Sequence, residues 1–266
     1  MVQTGLPAGS RVLLKGGNLA ALLELHDELA VHGGGVVVLG GPRGVGKAIL
    51  MNELRRDLSA KGRLVLFGRA EQAAPHPFAA LREPAQQALA YLEARGGAEE
   101  FLDTHARAVA VLIPALQHQQ APRARDKTGF LEALRAFFLA LSKAAPLTIL
   151  LSDLHYADDD TREAVRFLAA HLFNQDVGED EQKGVLMVAA RTDDDDGAAF
   201  ARSLIAGKRA RLFDVGGFTK PQLLEYLGTH PLIDKLLLAS RGRPEDVDEL
   251  LESLPRDTDA LLLQRT

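Results

Sequence analysis

Lys47 closes a glycine-rich run, Gly41-Pro42-Arg43-Gly44-Val45-Gly46-Lys47, and is followed by Ala48 and Ile49. Glycines at these spacings let successive backbone N–H groups converge on one point, and a helix starting there adds its positive end. An ammonium beside such a turn completes a cradle for a phosphate chain. The candidate phosphate-binding residues are therefore Gly41, Pro42, Arg43, Gly44, Val45, Gly46, Lys47, Ala48 and Ile49. One letter is out of place. The residue after the lysine would normally be Ser or Thr, whose hydroxyl ligates Mg²⁺, and here it is Ala48. A second candidate lies in Ser152-Asp153-Leu154-His155-Tyr156-Ala157-Asp158, which follows an apolar run. A carboxylate at the end of a buried strand next to a phosphate loop is placed to handle a metal or an attacking water, and Asp153 is the residue for that role.

These groups need elements that bring them together. Residues 36–39 form a continuous apolar run that reads as a buried strand entering the glycine turn, and residues 47–60 read as the helix leaving it. Further strands are expected at 63–67, 147–151 and 185–190. Helices are expected at 18–31 with Asn18 as N-cap, at 128–143 within a long helical region, and at 160–173. Residues 174–184 and the acidic run 193–196 read as loops, and short helices fill 219–229, 231–240 and 244–254. Strands alternating with helices imply an α/β fold, a parallel β-sheet flanked by helices. The expected division is a core of residues 1–215 and a small C-terminal helical lid of residues 216–266, with the apolar end LLLQRT hinting at a longer chain.

Composition narrows the class further. The 266 residues are 47% hydrophobic, enough for a sizeable core, and a net charge of −5 argues against direct nucleic-acid binding. Arg123, Arg125 and Lys127 make too small a basic cluster to change that. The absence of cysteine removes disulfides and thiolate metal sites, and with no apolar run long enough for a signal or a span it points to a cytoplasmic protein with no membrane partner. The eight histidines show no ligand spacing, and the acidic runs 158–160 and 193–196 lack the calcium-loop pattern, so no metal ligands are assigned. Helix capping for the first run and a solvated loop for the second are the better account.

The phosphate loop together with Ser-Asp-Leu-His-Tyr-Ala-Asp and the helix after it resembles the AAA+ and STAND P-loop NTPases of bacterial signalling and transcription regulation. In that family the first acidic position of this second motif supports Mg²⁺ and the next polarises the attacking water. Here those positions are Ser152 and Asp153, so both protein contacts to Mg²⁺, at 48 and 152, are replaced. The resemblance extends to Phe67-Gly68-Arg69-Ala70 with residues 75–81, to Arg191 as a sensor at the end of the fourth strand, and to Gly242-Arg243-Pro244, whose proline packs beside the adenine. The family's opening Gly-Arg-Glu is absent; Lys15 stands in that region. What the resemblance implies is an ATP- or ADP-binding regulatory module, acting with other protein domains or subunits. Hydrolysis would be weak or absent, and Mg²⁺ would not be held by the protein in the usual way. The alternatives are a pseudo-ATPase scaffold that binds no nucleotide, and an active ATPase that receives metal contacts through water or from a neighbouring subunit.

Overall fold

The structure, a computed structural model, describes residues 18–71, 77–99, 101, 104–105, 112–113, 127–173, 184–206, 209–228 and 232–253. Lys15, Pro75, Arg123, Arg125, residues 174–183 and the terminal LLLQRT, all invoked from the sequence, lie outside these residues.

The strands are β1 (Gly35–Gly40), β2 (Leu64–Arg69), β3 (Leu147–Ser152), β4 (Val185–Ala189) and β5 (Ala210–Asp214). They form one sheet in the order β2-β3-β4-β1-β5, and every pairing is parallel. The helices are α1 (Ala20–Val31), α2 (Lys47–Ala60), α3 (Ala79–Glu93), α4 (Lys127–Ala144), α5 (Asp159–His171), α6 (Asp195–Leu204), α7 (Lys220–Leu227), α8 (Ile233–Ser240) and α9 (Pro244–Ser253). None among the described residues is long and apolar enough to cross a membrane.

Every residue of β1, β3 and β4 is buried. Successive strand side chains point to opposite faces, so each strand feeds two cores. Val36, Val38, Ile149 and Leu151 pack with α3, α4, α5 and α6, while Val37, Leu39, Leu150 and Met187 pack with α1 and α2. The C-terminal helices gather around a small cluster of their own, Phe218, Leu223, Ile233 and Val247. Phe218 N–H donates to the Gly242 carbonyl at 2.6 Å and closes that cluster.

The expected α/β architecture is the one observed, with differences at particular elements. Asn18 is not the cap of α1: it lies in a π-type turn that runs straight into the helix, and the N-cap is Leu19 with no side-chain bond. The acidic run 193–196 is not a loop throughout. Asp194 accepts from Gly197 N–H at 2.7 Å and caps α6, whose first turn holds Asp195 and Asp196. Asp158 likewise caps α5, accepting from Thr161 N–H at 2.8 Å. Both runs thus satisfy the unpaired donors of a helix start. Strand β5 carries no continuous apolar run, because it is an edge strand with Arg211, Leu212 and Asp214 exposed. Lys127 is paired with Asp160 at 2.8 Å and Glu163 at 2.5 Å, which neutralises it against α5.

His26 fixes α1 against the sheet. It is fully buried, with Nε2 at 2.9 Å from Thr148 Oγ1 on β3 and Nδ1 at 3.0 Å from Asp27 Oδ1. A carboxylate can only accept, so the proton belongs on Nδ1 and Nε2 accepts from the threonine hydroxyl. Arg63 and Lys61 reach the same Asp27 at 3.3 Å each. Burial holds the His26 pKa below its ordinary value, although the hydrogen bond to Asp27 acts the other way. Below about pH 6.5 the unfolded chain takes up a proton that the folded chain refuses, so stability falls as pH drops from there to the folded pKa. Urea unfolding at pH 7, 6 and 5 should show wild type losing up to about 1.4 kcal/mol per pH unit more than His26→Gln. An identical pH profile for the two proteins would assign the acid sensitivity to another group.

Candidate functional site

At its carboxyl end β1 releases the chain into residues 41–46 and α2 begins at Lys47. Two glycines make the turn possible. Gly44 has φ of 76° and Gly46, the N-cap of α2, has φ of 96°, both in the left-handed region that side chains resist. The Lys47 ammonium folds back over this turn and donates to the Gly41 carbonyl at 2.7 Å and the Pro42 carbonyl at 2.8 Å. Burial lowers its pKa to about 8, against the pull of Asp193 and Asp153.

Asp153 sits just past β3 in a left-handed conformation, φ 58°, which Asp tolerates better than most residues. Its Oδ2 accepts from Arg69 Nε at 2.7 Å. That pair follows from the sheet, because Arg69 at the end of β2 is in register with Ser152. The Ser152 hydroxyl is buried and has no hydrogen-bond partner among the described residues. Ala48, on the first turn of α2, presents a methyl group.

Beyond β4, Arg191 grips Asp193 through two nitrogens, at 3.0 and 3.1 Å, and reaches Asp194 at 3.4 Å. This bond is the main cause of an Asp193 pKa near 2, and Arg43 N–H adds to it from the phosphate loop at 3.4 Å. His155 and Tyr156 occupy a 3₁₀ turn after Asp153, ring centroids 3.9 Å apart. Burial lowers the His155 pKa.

These groups surround one cavity of about 450 Å³. Residues 43–49, Asp153 and Arg191, all singled out from the sequence, line it together. Gly41 and Pro42 take part through the carbonyls that hold Lys47. Pro244 is buried at the start of α9 and is not among the lining residues; its neighbour Glu245 is. Sequence reasoning missed Arg69, Tyr156 and His155 as members of the site, and also the acidic side of α9. The signal for the first three was present, since Arg69 ends an apolar run and His155-Tyr156 directly follow Asp153-Leu154.

The chain belongs to the AAA ATPase domain family, whose profile matches residues 11–188. It is an AAA+ P-loop NTPase domain, a class that binds ATP or ADP. Among solved structures it is similar to AMPPCP-bound DnaA from Aquifex aeolicus, at 13% identity and a TM-score of 0.41, covering 92% of this chain and 61% of that one. Drosophila ORC bound to DNA gives 13% identity and a TM-score of 0.45, over 83% of this chain and 33% of that one. The chain thus spans less than two thirds of the length of either. No curated protein matches it.

The depressed basicity of Lys47 can be checked directly. Labelled with an amine-selective acylating reagent across pH 6–11, Lys47 should react with a midpoint near pH 8. A midpoint at the ordinary lysine value of about 10.4 would mean that burial does not reach the amine.

Proposed function

We propose that this chain is a nucleotide-binding regulatory module of a signalling or transcription-regulating protein, binding ATP or ADP and hydrolysing it weakly or not at all. One observation carries the reading. The phosphate loop keeps its left-handed glycines and its half-buried lysine, while the groups that would hold Mg²⁺ are missing or engaged. Ala48 offers no oxygen, Ser152 offers only a buried hydroxyl, and the Asp153 carboxylate is bound to Arg69. These residues do not fit a Mg²⁺ ion held directly by the protein, so no step is assigned to one.

In this reading residues 1–215 form the core and 216–266 the lid. The backbone N–H groups of residues 43–49 and the Lys47 ammonium hold the phosphates. Arg191 senses the end of the phosphate chain once it exchanges Asp193 for it, and Pro244 flanks the base. Asp153 is the surviving candidate for orienting water, and it must leave Arg69 to do so. The output passes to other protein domains or subunits. A scaffold that binds no nucleotide is the second reading, and it draws on the Lys47 amine already being satisfied by its own loop.

Calorimetric titration with ATP and ADP separates the two. The module should bind with little dependence on Mg²⁺, and Lys47→Ala should weaken binding roughly 10- to 100-fold, the range for a hydrogen bond to a charged group. No binding by wild type would favour the scaffold. Ala48→Thr combined with Ser152→Asp should raise Mg²⁺-dependent affinity by more than the two single changes together. Strict additivity would show that the two positions do not serve one ion.

A further inference from the structure

The wall that α9 turns toward the phosphate loop carries the same sign of charge as the proposed ligand. Glu245, Asp248, Glu249 and Glu252 all line the cavity, at the i, i+3, i+4 and i+7 spacing of one helix face. Asp246, between them, is turned to Arg243 instead. Acidic residues in a first turn have a structural reason to be there, since they suit the positive end of a helix. That reason covers Glu245 and Asp246 and stops before Asp248, Glu249 and Glu252.

Three of the four Lys and Arg side chains lining this cavity already have partners, and the exposed Arg43 guanidinium has none among the described residues. Arg69 is held by Asp153, Arg191 by Asp193 and Asp194, and the Lys47 ammonium by two carbonyls. Glu245 lies against the loop at Gly44. A Cβ added to Gly44 would lie 2.6 Å from Glu245 Oε2 and 3.3 Å from its Cβ. Gly44 is therefore constrained twice, by its left-handed backbone and by the carboxylate resting against it. That carboxylate stands on the segment whose amides form the phosphate cradle.

We propose that Glu245 is a specificity-determining residue: a carboxylate seated against the phosphate loop that ranks nucleotides by the charge of their phosphate chain and favours ADP over ATP. The inference rests on the nucleotide-binding reading above. A longer chain brings added negative charge toward Glu245, so ATP is retained only as α9 yields, whereas the shorter chain meets less opposition. Like charges about 6 Å apart, in a medium between protein surface and water, change affinity by roughly tenfold.

The test titrates ATP and ADP, both in EDTA, into wild type, Glu245→Gln, Glu249→Gln and Asp246→Asn. Glu245→Gln should raise ATP affinity about tenfold and ADP affinity less, so that the ratio of the two shifts toward ATP. Glu249→Gln should move the ratio in the same direction by less. Asp246→Asn removes one charge from the same helix but outside the cavity wall, and should leave the ratio where it was. Raising the salt should narrow the gap between wild type and Glu245→Gln. An unchanged ratio in Glu245→Gln, or an equal shift in Asp246→Asn, would overturn the role given to Glu245 and leave nucleotide binding standing. Failure of wild type and Glu245→Gln alike to bind either nucleotide would overturn both.

Discussion

Burial of the sheet on both faces is the constraint from which the rest of this molecule follows. Strands β1, β3 and β4 have no exposed side chain, so nothing along their length can meet a ligand. Parallel strands all end on the same edge, and the helices that follow them start there. Chemistry is thereby confined to the few residues after each carboxyl end: residues 41–49 after β1, Asp153 after β3, and Arg191 after β4. The order β2-β3-β4-β1-β5 sets the spacing among them, and the β2–β3 register brings Arg69 to Asp153.

At this edge the balance of charge matters as much as the arrangement of backbone donors. In the proposed reading the loop takes an anion, yet Lys47, Arg69 and Arg191 are engaged by the protein itself. Only the Arg43 guanidinium among the lining Lys and Arg side chains is left without a partner among the described residues, and α9 adds carboxylates of its own. A ligand that draws on Lys47, Arg69 or Arg191 must therefore exchange partners rather than simply settle into place. Such a site responds to the number of charges on its ligand, and through α9 it ties that response to the position of the C-terminal helices. Ala48 and Ser152 fit the same proposal, because a cation held less firmly by the protein would screen the phosphates less from the acidic wall.

Local features could be read from the sequence and tertiary ones could not. The left-handed glycines, Lys47 and the helix of residues 47–60 are encoded within a few residues, and they appear where the spacing places them. Asp153 could be singled out as a candidate for the same reason, but its partner Arg69 is 84 positions away and meets it only through strand register. Strand β5 escaped because an edge strand with exposed Arg211 and Leu212 lacks the apolar run that marks the buried ones. Helix α6 was hidden behind aspartates read as a loop, although acidic residues also mark a helix start. The stripe on α9 was visible only as the face of a helix. That it looks onto Gly44 follows from the Phe218–Gly242 backbone bond and the packing around Val247, which no local pattern announces.

The central claim is that the loop holds a nucleotide and cleaves it weakly or not at all. A single-turnover experiment, with the chain in excess over ATP and the product followed in Mg²⁺ and in EDTA, addresses it most directly. The account predicts that bound ATP is recovered intact, with hydrolysis no faster in Mg²⁺ than in EDTA. Mg²⁺-dependent hydrolysis at about 1 s⁻¹ or above, the range of ordinary enzyme turnover, would contradict it.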